Sequence, residues 1–424
     1  MQRLRDDADA IRRGTTDKGH DTASIDQALA ADEERRKLLG QIDTARAERK
    51  KISEQVGAAM RSGDANADHL RAKSVELGTT IDAGEERLRS VEAALEELLL
   101  RIPNPPDADI PVGDPEATTT VRSWGEPLAH DAGGWERKPH WEIGESLGML
   151  DLAAGAKVAG SGFPLYRGAG ARLERALINL MLELQTTQGG MTEVWPPAVV
   201  NQESARGTGQ IPDKEEQMYV VTRDDLYLVP TAEVPVTNIH RDEIIDAARL
   251  PIRYVAYSPS FRREAGAAGK QTRGILRVHQ FDKVEMVAFT TPDESAGELE
   301  RMTGCAEAAL QLLGLPYRVR LLSTRDMGFT QAKTYDIEVW APGVQEWLEV
   351  SSVSNFRDFQ ARRMNIRYRP EAGAKPEILH TLNGSSLGFP RTFAALLENY
   401  QQQDGSLALP EPLASRVGEI QTSR

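Results

Sequence analysis

Arg262 and Arg263 close a strand-like run, Ser258-Pro259-Ser260-Phe261, and lead into Glu264-Ala265-Gly266 and a cationic, glycine-rich stretch ending at Gly274. A second apolar/polar alternation, Ile275-Leu276-Arg277-Val278-His279-Gln280-Phe281-Asp282-Lys283-Val284-Glu285, ends on a glutamate. The pattern predicts a strand–loop–strand hairpin whose arginines hold something anionic and flat. A guanidinium is a planar fork that matches phosphate and carboxylate oxygens and stacks on aromatic rings. A solvated basic hairpin has the same composition, so the rest of the chain must decide.

Three further segments concentrate polar chemistry. Gly190-Met191-Thr192-Glu193-Val194-Trp195-Pro196-Pro197 reads as a strand ending in a double proline. Thr231-Ala232-Glu233 sits in an apolar setting before Val234-Pro235. Glu349-Val350-Ser351-Ser352-Val353-Ser354-Asn355-Phe356 pairs with His380-Thr381-Leu382-Asn383-Gly384-Ser385-Ser386-Leu387-Gly388-Phe389-Pro390-Arg391. The chain has no G-x-G-x-x-G and no P-loop, so any phosphate must be held by side chains. Seven histidines are scattered without metal-ligand spacing. His279 and His380 read as structural hydrogen-bonding groups. The one cysteine, Cys305, lies in a helical-looking segment and cannot form an intrachain disulfide.

The elements that carry these segments fall into two regions. At 424 residues the chain has room for two or three domains and a large core. Residues up to about 102 contain no Trp, Tyr or Phe. Apolar or small residues step by three and four through Leu38, Ile42, Ala45, Ile52 and Val56, with Arg49 interrupting. They resume at Leu70, Ser74, Leu77, Ile81, Gly84, Leu88, Val91, Leu95, Leu98 and Ile102. That spacing is a coiled-coil seam. Ser62-Gly63-Asp64-Ala65-Asn66-Ala67-Asp68 is a short turn, which forces the two helices antiparallel. Arms of about 25–33 residues would project roughly 40–50 Å. Residues 35–51 hold seven bases against two acids, and residues 82–97 hold six acids against two bases. Antiparallel pairing sets these opposite each other. Lys50, Lys51, Arg61, Arg71 and Lys73, nearer the tip, are the candidates for an external phosphate.

Ile102-Pro103-Asn104-Pro105-Pro106 opens a proline-rich linker that ends the coil. Beyond it come aromatics, glycines and strand-like runs such as Tyr254-Val255-Ala256-Tyr257, with helical segments near 171–187, 293–313 and 391–402. Strands cluster without βαβ alternation, so an α+β domain with an antiparallel sheet is predicted. The boundaries are 1–103 for the helical arm (hairpin about 30–102), 104–118 for the linker and 119–424 for the globular domain. No apolar run spans a bilayer and no leader pattern stands at Met1. A single cysteine fits a reducing, cytoplasmic compartment. The net charge of −13 argues against a nonspecific nucleic-acid coat, though not against a specific RNA partner.

Taken in order, the segments resemble a class II aminoacyl-tRNA synthetase, and within that class a bacterial-type seryl-tRNA synthetase. The resemblance runs over essentially the whole chain. Phe-Arg-Arg-Glu-Ala-Gly with Arg-Val-His-Gln-Phe-Asp-Lys-Val-Glu looks like motif 2. Gly-Met-Thr-Glu-Val-Trp-Pro-Pro looks like motif 1. His-Thr-Leu-Asn-Gly-Ser with Pro390-Arg391 looks like motif 3, and Thr-Ala-Glu is the family's serine-pocket signature. The resemblance implies activation of L-serine with ATP to seryl-adenylate, then transfer to tRNA(Ser) and also to tRNA(Sec). It implies Mg2+, a homodimer built largely on motif 1, an arm that grips the tRNA, and neither a DNA nor a membrane partner.

The resemblance also implies roles. Arg262 would bridge the serine carboxylate and the α-phosphate, and Arg391 would bind the far end of the triphosphate. Arg263, Glu264, Val278 and Phe281 would hold the nucleotide, with Phe281 against the adenine face. Glu349 and Ser352 would ligate Mg2+, with Val350 and Ser351 beside them at the ATP. Thr231, Ala232, Glu233, Glu285, Asn383 and Ser385 would form the serine pocket together with Arg262. Val353 stands where the family commonly has cysteine, and Ser386-Leu387-Gly388-Phe389-Pro390 departs from the frequent Gly-Leu-Ala-Val-Gly. Ser386 is therefore a position where pocket contacts and sensitivity to serine analogues would change. Rival readings are a second, analogue-tolerant copy of the enzyme, an aminoacyl:carrier-protein ligase, and a non-catalytic paralogue. Carrier ligases typically lack the arm. A paralogue would have eroded Arg262, Glu264, Glu285, Glu349 and Arg391, which all stand.

Overall fold

The first hundred residues bury little except along one seam, and they fold as helices alone. In the computed structural model, which describes residues 1–265 and 273–420, the chain divides into two compact units, Met1–Pro105 and Pro106–Arg424. The glycine-rich stretch 266–272 of the expected hairpin loop lies outside the described residues. Unit 1 contains α1 (Gln2–Asp6), α2 (Ala8–Asp17), α3 (Ala23–Ser62) and α4 (Ala67–Leu100). The long helices exceed the expected arm length, because the seam pattern begins only where α3 has cleared the short helices. Those short helices were not anticipated. Leu4 and Ile11 pack with Ile25, Ala28 and Leu95.

Gly63, at φ 70°, ends α3 in the left-handed region that glycine adopts without strain. The helices then run back along Ile42, Ala45 and Ile81. Arg49 interrupts the seam without breaking it, because Gly78 faces it. A Cβ on Gly78 would lie 3.2 Å from the Arg49 guanidinium. Opposite charges meet across the pair as the sequence predicts in Arg46 with Glu85 at 2.7 Å and Arg35 with Glu92 at 3.6 Å, while Glu34 with Arg87 at 2.7 Å is an unpredicted pair of the reverse sense.

Unit 2 is built on an eight-stranded sheet. In chain order its strands are β1 (Thr119–Trp124), β2 (Thr192–Val194), β3 (Ile252–Phe261), β4 (Gln280–Thr290), β5 (Tyr317–Leu321), β6 (Lys333–Ala341), β7 (Glu346–Arg357) and β8 (His380–Gly388). Their spatial order is β1-β5-β6-β7-β8-β4-β3-β2, antiparallel throughout except for β2 on β3. The expected hairpin is β3–β4, although pairing resumes only at Gln280, not at Ile275. Residues 106–118, read as linker, are tied to this unit. Asp107 N–H donates to Ala332 O at 2.9 Å, and Arg357 Nε donates to Asp107 Oδ1 at 3.0 Å.

Three helices cover one face of the sheet: α5 (Ala169–Thr187), α7 (Ser295–Leu312) and α9 (Phe389–Tyr400); the short α6 (Glu233–Thr237) and α8 (Phe359–Arg363) lie among the loops. On α5, Leu173, Leu177, Leu180, Met181 and Leu184 form a stripe at helical spacing. They pack with Val284 and Met286 of β4, Ile337 of β6 and Val353 of β7. The half-buried Cys305 thiol on α7 is pushed up by burial. Among the described residues no helix is long and apolar enough to cross a membrane.

Candidate active site

Successive side chains of a strand alternate between its two faces. On β4 that rule sends Val284 and Met286 into the core and Phe281, Lys283 and Glu285 into a cleft of about 630 Å³. Asn383 and Ser385 of β8 line the same cleft, as do Glu349 to Ser352 of β7.

One end is acidic. Asn383 Nδ2 donates to Glu233 Oε2 and to Glu285 Oε1, both at 2.9 Å, so one amide ties two buried carboxylates together. Ser385 Oγ donates to Glu285 Oε2 at 3.1 Å. Lys283 Nζ lies 2.8 Å from the same oxygen. Gln360 of α8 donates to Glu233 Oε1 at 2.7 Å and accepts from Thr381. Burial, and then Glu285, push the Glu233 carboxyl up to about 7, against the pull of Gln360, Lys283 and Lys214.

The other end is cationic and aromatic. The Arg262 guanidinium stands 5.1 Å above the Phe281 ring, and its backbone N–H donates to His279 O at 2.9 Å. Arg391 donates to the carbonyls of Leu276 at 3.2 Å and Glu349 at 2.9 Å, with the Glu349 carboxylate 3.4 Å away. Glu264 sits at φ 50°, a strained conformation for a residue with a side chain. Gln217 holds the turn there by accepting from Ala265 N–H and donating to Ala265 O. Glu264 also pairs with Arg277 at 3.3 Å. Behind Glu349, Asp336 is half-buried with its Oδ1 shut from solvent and unpartnered, and desolvation followed by Glu349 pushes its carboxyl well up.

The cleft thus gathers Thr231, Glu233, Arg262, Glu264, Val278, Phe281, Glu285, Glu349, Val350, Ser351, Ser352, Asn383, Ser385 and Arg391. Two expected residues do not line it. The Ala232 methyl is buried in a core cluster with Ile245 and Phe289. Arg263 turns outward, its guanidinium donating to Glu216 O at 3.3 Å. Ser386 also faces away, its hydroxyl accepting from Gln185 of α5 at 2.9 Å. Gly388 and Pro390 remain on the rim. His279 and His380 make hydrogen bonds, to Arg262 O at 3.0 Å and Ser295 Oγ at 2.8 Å.

Sequence reasoning missed Lys283, Gln217 and Gln360. The period-two pattern of β4 already placed Lys283 on the face of Phe281 and Glu285. Gln360 carries no local signal, since only the fold brings α8 to Glu233. In unit 1, Lys73 is answered by Glu48 at 2.8 Å, and Arg71 donates to Met60 Sδ at 3.0 Å. Lys50, Lys51 and Arg61 are exposed and have no ion pair among the described residues.

Both units of the chain match families of known proteins. Residues 1–106 match the seryl-tRNA synthetase N-terminal domain, and residues 219–400 match the tRNA synthetase class II core domain (G, H, P, S and T). The serine--tRNA ligase of Gemmatimonas aurantiaca is 52% identical over 418 residues, covering 98% of this chain and 97% of that one. That of Bacillus pumilus is 49% identical over 99% of this chain and 98% of its own. The crystal structure of seryl-tRNA synthetase from Pyrococcus horikoshii complexed with ATP superposes with a TM-score of 0.93. It is 36% identical and covers 99% of this chain and 98% of that one. The cytoplasmic serine-tRNA ligase of Naegleria fowleri, in complex with AMP, gives 0.86 at 28% identity over 96% and 94% of the two chains. With both regions matched and half of all residues shared end to end, the chain belongs to the seryl-tRNA synthetases, class II aminoacyl-tRNA ligases that activate serine with ATP and join it to tRNA.

Proposed function

We propose that the acidic end of the cleft holds L-serine and the arginine end holds ATP, and that the residues divide the two-step reaction as follows. Glu233 and Glu285 receive the serine ammonium, and Thr231, Asn383 and Ser385 complete the polar wall around it. Arg262 lies against the serine carboxylate and the α-phosphate. The carboxylate oxygen attacks the α-phosphorus, and pyrophosphate leaves with the bonding pair. Negative charge builds on the phosphoryl oxygens, so fixed cations matter more here than an acid–base pair. Phe281, Glu264 and Val278 seat the adenine, and Arg391 takes the far end of the triphosphate. A hydroxyl of the terminal tRNA adenosine then attacks the seryl carbonyl and AMP leaves.

Glu349 and Ser352 fit a Mg2+ ion, since a carboxylate and a hydroxyl suit a hard cation that keeps water and phosphate oxygens as its other ligands. The Asp336 carboxylate behind them, hydrogen-bonded by Ser352 and with Oδ1 shut from solvent and unpartnered, fits the same site. A bound Mg2+ would neutralise phosphate charge. The arm grips tRNA(Ser), and by the same shape tRNA(Sec), chiefly through Lys50, Lys51 and Arg61. The enzyme works as a cytoplasmic homodimer.

The observation that carries the proposal is the pair of carboxylates bridged by Asn383 in the same cleft as an arginine lying over Phe281. ATP–pyrophosphate exchange with serine, alanine, threonine and cysteine in parallel tests it. Exchange with serine that drops by a factor of several hundred in Arg262→Ala is expected, as for loss of about 3–4 kcal/mol of transition-state stabilisation. No serine-dependent exchange from a folded protein would sink the reading, and exchange with another amino acid only would move it to a carrier ligase.

A further inference from the structure

The acidic end contains one buried cation with no role in the scheme above. Lys283 is buried, and its Nζ donates to Thr231 Oγ1 at 2.7 Å as well as pairing with Glu285 at 2.8 Å. The backbone N–H of Glu233 donates to the same Thr231 oxygen at 3.2 Å. A hydroxyl has two lone pairs and one proton. Both lone pairs of Thr231 are therefore occupied, and only its proton remains to be given. Ser385 is in the opposite condition: its proton goes to Glu285, and its oxygen is left to accept.

Charge follows the same division. Glu233, Glu285 and Lys283 sum to one negative charge when ionised. Lys214 and Arg262 are the other charged groups on this part of the wall. We infer that Lys283 is a positioning residue that sets amino-acid specificity, by making Thr231 a hydrogen-bond donor only and by leaving the paired carboxylates one charge short of neutral, so that the pocket is matched to a ligand bearing one ammonium and one hydroxyl. The inference rests on the reading of this end as the amino-acid pocket.

Without the ammonium group, Thr231 regains a free lone pair and its hydroxyl can turn. The pocket then no longer presents a fixed donor, and the difference between serine and alanine shrinks. The two carboxylates would face each other through Asn383 alone, and sharing one proton relieves that repulsion.

The test compares Lys283→Met and Lys283→Gln with the wild-type enzyme. Pyrophosphate exchange gives KM for serine, KM for ATP and the serine/alanine ratio of kcat/KM. Calorimetry of serine binding in two buffers of different ionisation heat gives the protons released. In Lys283→Met, KM for serine should rise about tenfold to a hundredfold, as for a lost charged hydrogen bond. The serine/alanine ratio should fall by about tenfold, KM for ATP should stay within about twofold, and more protons should leave on serine binding. Lys283→Gln keeps a donor for Thr231 and no charge, so it should preserve more of the serine/alanine ratio while losing serine affinity. It also supplies the reading should the methionine variant not fold. A serine/alanine ratio and proton release unchanged in an active variant would overturn the inference. Absence of serine-dependent exchange in the wild type would instead overturn the pocket assignment beneath it.

Discussion

Glu398 Oε1 accepts the His140 ring Nδ1–H at 2.8 Å, and the Nε2 of that ring accepts the Ile275 N–H at 3.2 Å. Both side chains are fully buried. The pair of bonds fixes the tautomer, with the proton on Nδ1. It also fastens the segment that carries Leu276, Arg277 and Val278 along the cleft. Glu398 takes three more N–H groups, from His140 itself, Gly343 and Val344. Glu398→Ala strands these donors and should cost about 3–5 kcal/mol. A urea unfolding midpoint would register the loss. KM for ATP should rise more than KM for serine, because the loosened segment seats the nucleotide.

Serine affinity should depend on pH through Glu233. Its ordinary value is 4.5 and the folded pocket raises it to about 7 by burial and by Glu285. The ammonium of serine needs the carboxylate form, so KM for serine should fall as pH rises through about 7 and level off above it. The stability sign runs the other way. A raised acid stabilises the folded state fully below the unfolded value, and that gain is lost as pH climbs from 4.5 to about 7. Glu233→Gln should flatten the acid limb of the KM profile while leaving KM high throughout. Steady-state exchange followed from about pH 6 to about pH 9, which brackets the raised Glu233 value of about 7 and starts well above ordinary carboxyl values, checks it.

Periodicity made the arm and the central sheet readable. The three-and-four spacing gives the helical hairpin, and the apolar/polar alternation after Ile275 gives β4, whose cleft residues Phe281 and Glu285 come only from the family resemblance. What stayed hidden depends on contacts between distant segments. Gln360 reaches Glu233 across 127 residues, and nothing near it in sequence marks it. Ser386, which departs from the family's frequent glycine, is expected to change pocket contacts; the pleat sends it to the face opposite Ser385, and Gln185 takes it. Residues 106–118 read as linker from their prolines, yet Asp107 and Arg357 anchor them to the sheet.

The arm's cations should not be equal in tRNA charging. Glu48 already neutralises Lys73, whereas Lys50, Lys51 and Arg61 stand exposed. Lys50→Glu with Lys51→Glu should weaken tRNA binding and flatten its salt dependence, because each lost phosphate contact removes about one unit of slope. Lys73→Glu should do less. Serine-dependent pyrophosphate exchange, which needs no tRNA, should be unchanged in all of them. Equal losses for Lys73 and Lys51 variants would show that the internal pair does not survive in the complex.

Gly384 stands between Asn383 and Ser385 and pairs with Val353 across β8 and β7. A Cβ on Gly384 would meet Val353 Cγ1 at 2.9 Å and Cγ2 at 3.1 Å. Val353 is fully buried, so neither methyl has open space to move into. Gly384→Ala should therefore cost about 1–3 kcal/mol through overpacking, and it should raise KM for serine by shifting Asn383 and Ser385. Val353→Ala removes both methyls and opens a small cavity of its own. Combined with Gly384→Ala it should recover most of the serine affinity, since the new methyl occupies the space that was vacated. A double-mutant cycle on urea midpoints and on KM would then give a favourable coupling of about 0.5–3 kcal/mol. If the two changes simply add, the contact between these strands does not govern the position of the serine pocket.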